Sequence, residues 1–204
     1  MWIDWAARTG FRTYKVKISG KTGEDKALLS YVNDTLREKS VPNTMRVDGN
    51  QGYTRKTFFE LVSYAEKERI NVELFEQPLD KDDRSGLTYV CRKADIPVIL
   101  DETVFSPEQA EIAVKEKMGH GINIKMAKSG IKGSEQIMKT AKKNGMKLMI
   151  GCMTETMTGL SSGIYMAAGT GAFDYVDLDG VHFIRHGEKW NDITIKGPVF
   201  GILS

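Results

Sequence analysis

Asn71-Val72-Glu73-Leu74-Phe75-Glu76 and Pro97-Val98-Ile99-Leu100-Asp101-Glu102 decide how this chain folds. Each is a short apolar run that ends in an acid, and Met45-Arg46-Val47-Asp48 is a third run of the same kind. Asp48, Glu76 and Asp101 stand 28 and 25 residues apart, which is the length of one strand, one helix and two loops. Acids at the C-terminal ends of three successive parallel strands converge on one point. A divalent cation is the natural occupant of such a point.

The same unit extends in both directions. A helical stretch over residues 1–9 is closed by Gly10, and residues 13–18 alternate, with Tyr14, Val16 and Ile18 on one face and Lys15 and Lys17 on the other. Residues 24–39 carry apolar positions at helical spacing, and Pro42 stops them. Strands are then predicted over 44–48, 72–76, 97–101, 121–125, 146–150 and 173–177. Helices are predicted over 54–68, 82–93, 106–117, 132–143 and 157–168. Ser106-Pro107 supplies a cap and a first turn for its helix. Strand and helix in strict alternation mean right-handed βαβ units and a parallel sheet.

Seven strands are counted where a closed (β/α)₈ barrel has eight. The expected fold is therefore α/β, a TIM-type (β/α) barrel that lacks its first strand, over residues 1–180. Residues 181–204 form a tail that does not continue the pattern. An open doubly wound sheet is the alternative. Polar residues at the end of every strand favour the barrel, because a doubly wound sheet binds mainly at one switch point. No Gly-x-Gly-x-x-Gly follows the first strand, so a dinucleotide site is unsupported.

The totals exclude several function classes. The 204 residues are 41% apolar and 27% charged, as in an ordinary globular domain. A net charge of +2 does not suggest a nucleic-acid surface. Cys91 and Cys152 have neither metal nor redox spacing, which fits a reducing, cytoplasmic setting. The start, with Trp2, Asp4 and Trp5, is not a signal peptide, and no apolar run nears the roughly 20 residues of a membrane span.

The strand ends carry the chemistry. They read Lys15 and Lys17, Asp48 with Asn50, Glu76, Asp101 with Glu102, Lys125, Glu155, then Asp177 and Asp179. Three acids without histidine or cysteine suit Mg²⁺ rather than zinc. His120, His182 and His186 show no ligand spacing; His120 reads as a loop residue and the other two as tail residues. Lys17 and Lys125 lie on opposite sides of the expected barrel mouth. Two amines facing across a metal suit removal of an α-proton beside a carboxylate, through an enediolate, and its return on the opposite face. A nearby cation such as Lys15 lowers the pKa of Lys17. The ordinary reading of any single one of these acids is a helix cap or a solvated loop residue, and a lone Lys-x-Lys is common on solvated strands. Methionines here read as core filler, and Cys152 as a small buried residue.

Lys15-Val16-Lys17, Val47-Asp48-Gly49-Asn50-Gln51-Gly52, Phe75-Glu76-Gln77-Pro78, Leu100-Asp101-Glu102 and Asn123-Ile124-Lys125 resemble, in order, the strand-end motifs of the enolase superfamily, in its muconate-lactonizing branch. The resemblance covers about residues 10–180. It implies Mg²⁺ on Asp48, Glu76 and Asp101, acid/base lysines at Lys17 and Lys125, and support from Lys15, Asn50 and Glu102. Gly151-Cys152-Met153-Thr154-Glu155-Thr156 and Asp177-Leu178-Asp179-Gly180 resemble the dipeptide epimerases (L-Ala-D/L-Glu epimerase-like). There the Asp-x-Asp holds the substrate's α-ammonium, so Asp177, Asp179, Glu155 and Met153 are the expected substrate residues.

The implied substrate is a small molecule, a dipeptide or an N-acyl amino acid, with no nucleic acid or membrane partner. Members of the family also carry an N-terminal α+β capping domain, absent here, toward which the tail would pack. The chain thus reads as N-terminally truncated, and its unpaired strand edges are compatible with a homo-oligomer. The alternatives are another activity of the branch (N-succinylamino acid racemase, o-succinylbenzoate synthase or cycloisomerase) and an inactive metal-binding fragment.

Overall fold

A computed structural model describes residues 2–185 and 189–203, with Lys189 described by its backbone alone. His186 lies outside the described residues. The chain opens on α1 (Trp2–Thr9) and continues β1 (Thr13–Lys17), α2 (Thr22–Glu38), β2 (Thr44–Asp48), α3 (Arg55–Lys67), β3 (Val72–Glu76) and α4 (Arg84–Lys93). Then come β4 (Val98–Leu100), α5 (Pro107–Glu116), β5 (Gly121–Lys125), α6 (Met126–Lys143), β6 (Lys147–Gly151), α7 (Met157–Thr170) and β7 (Tyr175–Asp177).

The seven strands pair in chain order, all parallel. A doubly wound sheet would reverse its order at a switch point; this sheet winds in one direction only. It also curls. Lys15 of β1 and Asp177 of β7, at opposite edges, meet at 2.8 Å. The Arg46 guanidinium of β2 donates to the Val176 carbonyl of β7 at 2.8 Å and lies over the Tyr175 ring. Side chains rather than backbone hydrogen bonds therefore join the two edges. The fold is the greater part of a barrel, with β1 and β7 unpaired toward each other.

Both faces of the sheet are covered, which is why β4 and β5 are buried at every position. Leu74, Ile99, Met149 and Tyr175 fill the inside of the curl. The larger core lies between sheet and helices, around Val47, Phe58, Phe75, Leu87 and Ile122. The buried methionines Met45, Met118 and Met149 act as filler.

Two regions depart from the sequence reading. Helix α6 begins at Met126, directly after β5, and not at 132. A non-helical Gly130 (φ 63°, ψ 177°) splits a first turn from the helix proper. The tail after β7 has structure of its own. A 3₁₀ turn (Asp179–His182) leads to an antiparallel sheet of β8 (Lys189–Trp190), β9 (Ile193–Lys196) and β10 (Val199–Ile202). Val181, Ile193 and Ile195 pack on Ile150, Leu160 and Ile164, so the tail is seated on α7. Trp2 and Trp5 of α1 meet Phe183 and His182, with ring centroids 5.1 and 5.3 Å apart. Beside the open edges lies a cleft of about 990 Å³, lined by Trp5, Phe11, Tyr14, Val176, Phe183 and Val199. No helix among the described residues is long and apolar enough to cross a membrane.

Candidate active site

Parallel strands bring their C-terminal ends to one rim. Lys15 and Lys17 share a face of β1 by the two-residue period of a strand. Asp48 ends β2, Glu76 ends β3, Asp101 follows β4 by one residue, Lys125 ends β5 and Asp177 ends β7. The structure brings these seven side chains together.

The Lys15 ammonium is the hub. Its Nζ lies 2.8 Å from Asp177 Oδ2, 2.9 Å from Glu76 Oε2 and 3.2 Å from Asp48 Oδ2. Lys17 donates to Asp48 Oδ2 at 2.8 Å, and Lys125 donates to Asp101 Oδ2 at 2.5 Å. Asn123 donates to Glu76 Oε1 at 2.9 Å. The backbone N–H of Asn50 donates to Asp48 Oδ1 at 3.1 Å, so Asn50 supports the site through its main chain.

Burial and charge compete at every group. Burial pushes the Glu76 carboxyl up to about 7, because the neighbouring acids add to it and Lys15 only partly offsets it. Burial also works against the charges of Asp48 and Asp101. Lys15 and Lys17 hold the first below the usual carboxylate range, and Lys128 and Lys125 hold the second well below it. Burial opposes the charge on Lys15 too, but Glu76, Asp177 and Asp48 raise its pKa well above the usual lysine value. Lys125 is set the same way. Its pKa is raised, because the charge and hydrogen bond of Asp101 outweigh burial. Burial raises Glu102 and Asp179.

The donor chemistry fits a hard divalent cation. Three carboxylates come from adjacent strands, and Glu76 is fully buried with a carboxyl that burial keeps from ionising easily. Its Oε2 lies near Lys15 but makes no hydrogen bond, and neither does the buried Oε2 of Glu102. Among the described residues no three acidic, histidine or cysteine groups converge closely enough to hold an ion as they stand. The acids are turned to lysines instead.

Of the other expected residues, Met153 and Glu155 stand apart, while Asp179 stays within reach of the charges of Asp177 and Lys15. Met153 is 51% exposed. Glu155 turns back on its own loop, accepting the Met153 N–H at 2.9 Å. Asp179 opens the 3₁₀ turn and faces the Cys152 thiol at 3.7 Å. Cys152 is half-buried, and burial pushes its thiol up to about 12. His120 lies in the loop before β5, and its ring accepts the Val98 N–H at 3.0 Å.

Sequence reasoning missed three buried residues. Gln77 accepts the Asp101 and Thr103 backbone N–H groups at 2.9 and 3.2 Å and so fixes the loop that carries Asp101. Asn123 holds Glu76. Lys128 donates to Asp101 Oδ1 at 2.8 Å. Its signal was a lysine three residues after Lys125, one helical turn on.

A singly wound, curled parallel sheet with its polar side chains gathered on the C-terminal rim defines the chain as a (β/α)-barrel protein. The profile described as Enolase C-terminal domain-like matches residues 3–200, and the chain belongs to that family. It is 36% identical over 191 residues to an L-Ala-D/L-Glu epimerase of Thermotoga maritima, covering 93% of this chain and 54% of that protein. It is similar to the solved substrate-liganded complex of the L-Ala-D/L-Glu epimerase from Bacillus subtilis, with TM-score 0.90 and 30% identity over 98% of this chain and 55% of that one. It is also similar to a dipeptide epimerase from Enterococcus faecalis complexed with Mg and the dipeptide L-Leu-L-Tyr, with TM-score 0.88 and 26% identity over 99% of this chain and 57% of that one. The chain spans about half the length of the curated relatives it matches.

Proposed function

We propose that this chain carries the catalytic barrel of an isomerase that epimerises a dipeptide. One observation carries the reading: Lys17 on β1 and Lys125 on β5 stand four strands apart on one rim, each ion-paired to an acid that flanks Glu76. In a curled sheet that separation sets two amines on opposite sides of whatever lies between them.

The proton accounting is simple. One lysine is neutral and takes the α-proton, breaking the C–H bond. The other is an ammonium and delivers a proton to the opposite face. The two lysines end in exchanged protonation states, ready for the reverse direction. Asp48, Glu76 and Asp101 would hold Mg²⁺, which supplies positive charge to the substrate carboxylate as that group takes up the electron pair of the broken bond. With Asp101 engaged there, the attraction that now raises the pKa of Lys125 weakens. Lys15, between the acids and Asp177, sets the charge balance beside Lys17. Asp177 and Asp179 would receive the free ammonium of a dipeptide. The dipeptide epimerases among the relatives support this substrate class.

Dipeptides incubated in D₂O should exchange their C-terminal-residue α-proton. Lys17→Ala and Lys125→Ala should each remove exchange from one stereoisomer only, by ~10²–10⁴-fold. Exchange of both isomers in both single variants would sink the proposal.

A second reading has one observation in its favour: Asp177 is already paired to Lys15. A substrate without a free ammonium, as in the N-acyl amino acid racemases, o-succinylbenzoate synthases or cycloisomerases of the branch, would leave that pair undisturbed. Unchanged turnover in the double variant Asp177→Asn/Asp179→Asn would favour it.

A further inference from the structure

We propose that Lys128 is a positioning residue that holds Asp101, and through it Lys125, in place; this rests on the two-lysine reading above. The Lys128 side chain is 3% exposed. Its Nζ donates at 2.8 Å to each of three oxygens: Asp101 Oδ1, the Asp101 carbonyl and the Asn123 carbonyl. An ammonium has three N–H donors, so every one is engaged within the protein. The Phe105 ring lies 5.1 Å from this nitrogen and covers it. An ammonium bound in this way has no donor left for substrate, so its work is done on Asp101.

The two lysine–acid pairs are built alike. In the first, Lys17 takes Oδ2 of Asp48 while the Asn50 backbone N–H holds Oδ1. In the second, Lys125 takes Oδ2 of Asp101 while Lys128 holds Oδ1. A carboxylate turns about its last torsion with little hindrance. Fixing one oxygen aims the other. Asp48 receives this from main chain, whereas the described hydrogen bonds to the Asp101 carboxylate come from the two lysines alone. Lys128 thus takes the part that a backbone donor plays at Asp48.

Gly130 makes the arrangement reachable. Its φ of 63° and ψ of 177° end the one-turn segment that carries Lys128, and an added Cβ there would meet nothing within 4 Å. The backbone angles, not crowding, call for glycine at this position. Gly130→Ala therefore disturbs the setting of Lys128 without deleting its charge.

The test uses Lys128→Met and Gly130→Ala in the full chain, with three readouts: thermal melting, Mg²⁺ titration by calorimetry, and α-deuterium exchange of each dipeptide stereoisomer. For both variants, exchange of the isomer that Lys125→Ala silences should fall about 10–100-fold, the usual effect of losing a partner behind an active group. The other isomer should change less than about threefold. Mg²⁺ binding to Lys128→Met should weaken about tenfold. Equal loss for both isomers, or no loss, overturns the role. So does Mg²⁺ binding that is unchanged or tighter, since removing a positive charge alone would tighten it. If Lys128→Met does not fold, Gly130→Ala carries the same comparison. If the wild-type chain exchanges neither isomer, the epimerase reading fails and the Mg²⁺ titration decides the role of Lys128 alone. A wild-type chain that does not bind Mg²⁺ overturns both.

Discussion

At the rim, Glu76 is fully buried while the Lys17 side chain is 64% exposed. A carboxyl that burial lifts to about 7 is sensitive to any cation brought near it. The Lys17 amine beside Asp48 is, by contrast, open to solvent. His120, at the other end of the strands, has a structural role. Its backbone N–H donates to the Val98 carbonyl at 2.8 Å, its carbonyl accepts the Lys147 N–H at 2.9 Å, and its ring Nδ1 accepts the Val98 N–H at 3.0 Å. It laces β4, β5 and β6 together. An accepting Nδ1 is unprotonated, and burial lowers the pKa of the ring below its ordinary 6.5. As pH falls, the unfolded chain takes up this proton before the native one does. The contribution of His120 to stability is therefore complete above about pH 6.5 and fades as pH falls through the native value. Urea midpoints of wild type and His120→Gln should differ most at pH 7.5 and approach each other by pH 5. A gap independent of pH would refute the neutral, accepting ring.

Among the elements, helix starts govern where the loops of the rim sit. Ser106 caps α5 by accepting the Gln109 N–H at 3.4 Å, and the Gln109 side chain returns to the Ser106 and Phe105 N–H groups at 3.1 and 2.7 Å. This capping box follows Asp101 by five residues and closes the loop that carries Glu102 and Thr103. Ser106→Ala should lower stability by about 1 kcal/mol in urea unfolding. A change below a few tenths would show that Gln109 alone holds the end. This start was legible, because serine, proline and glutamine at fixed spacing are a local signal. The first turn of α6 was not legible. It is held by the carbonyls of Asp101, in the loop after β4, and Asn123, on β5, and helical periodicity carries no trace of them.

In the molecule as a whole, two side-chain ties, Lys15 to Asp177 and Arg46 to Val176, hold the curl where β1 and β7 have no backbone partner between them. The tail adds a second core. Ile193 is completely buried, in one cluster with Ile150 of β6 and Leu160 and Ile164 of α7. Ile193→Ala should cost about 2–5 kcal/mol, the usual range for deleting a buried isoleucine. Urea unfolding should shift as one transition, with tail and barrel signals moving together. A separate early transition for the tail would show that it is an appendage.

The sequence by itself determined the alternation of strand and helix, the parallel sheet and the set of acids and lysines at its strand ends. Those features follow from local periodicity and from spacing along the chain, which every residue carries with it. It also carried the order Lys17, Asp48, Glu76, Asp101, Lys125, since strand ends in a parallel sheet must share a rim. Only the tertiary structure decided which acid each lysine holds, that Glu155 turns away to its own loop, and that Lys128 stands behind Asp101. These depend on distances between strands far apart in sequence and on the competition between burial and charge at each group. Periodicity encodes neither.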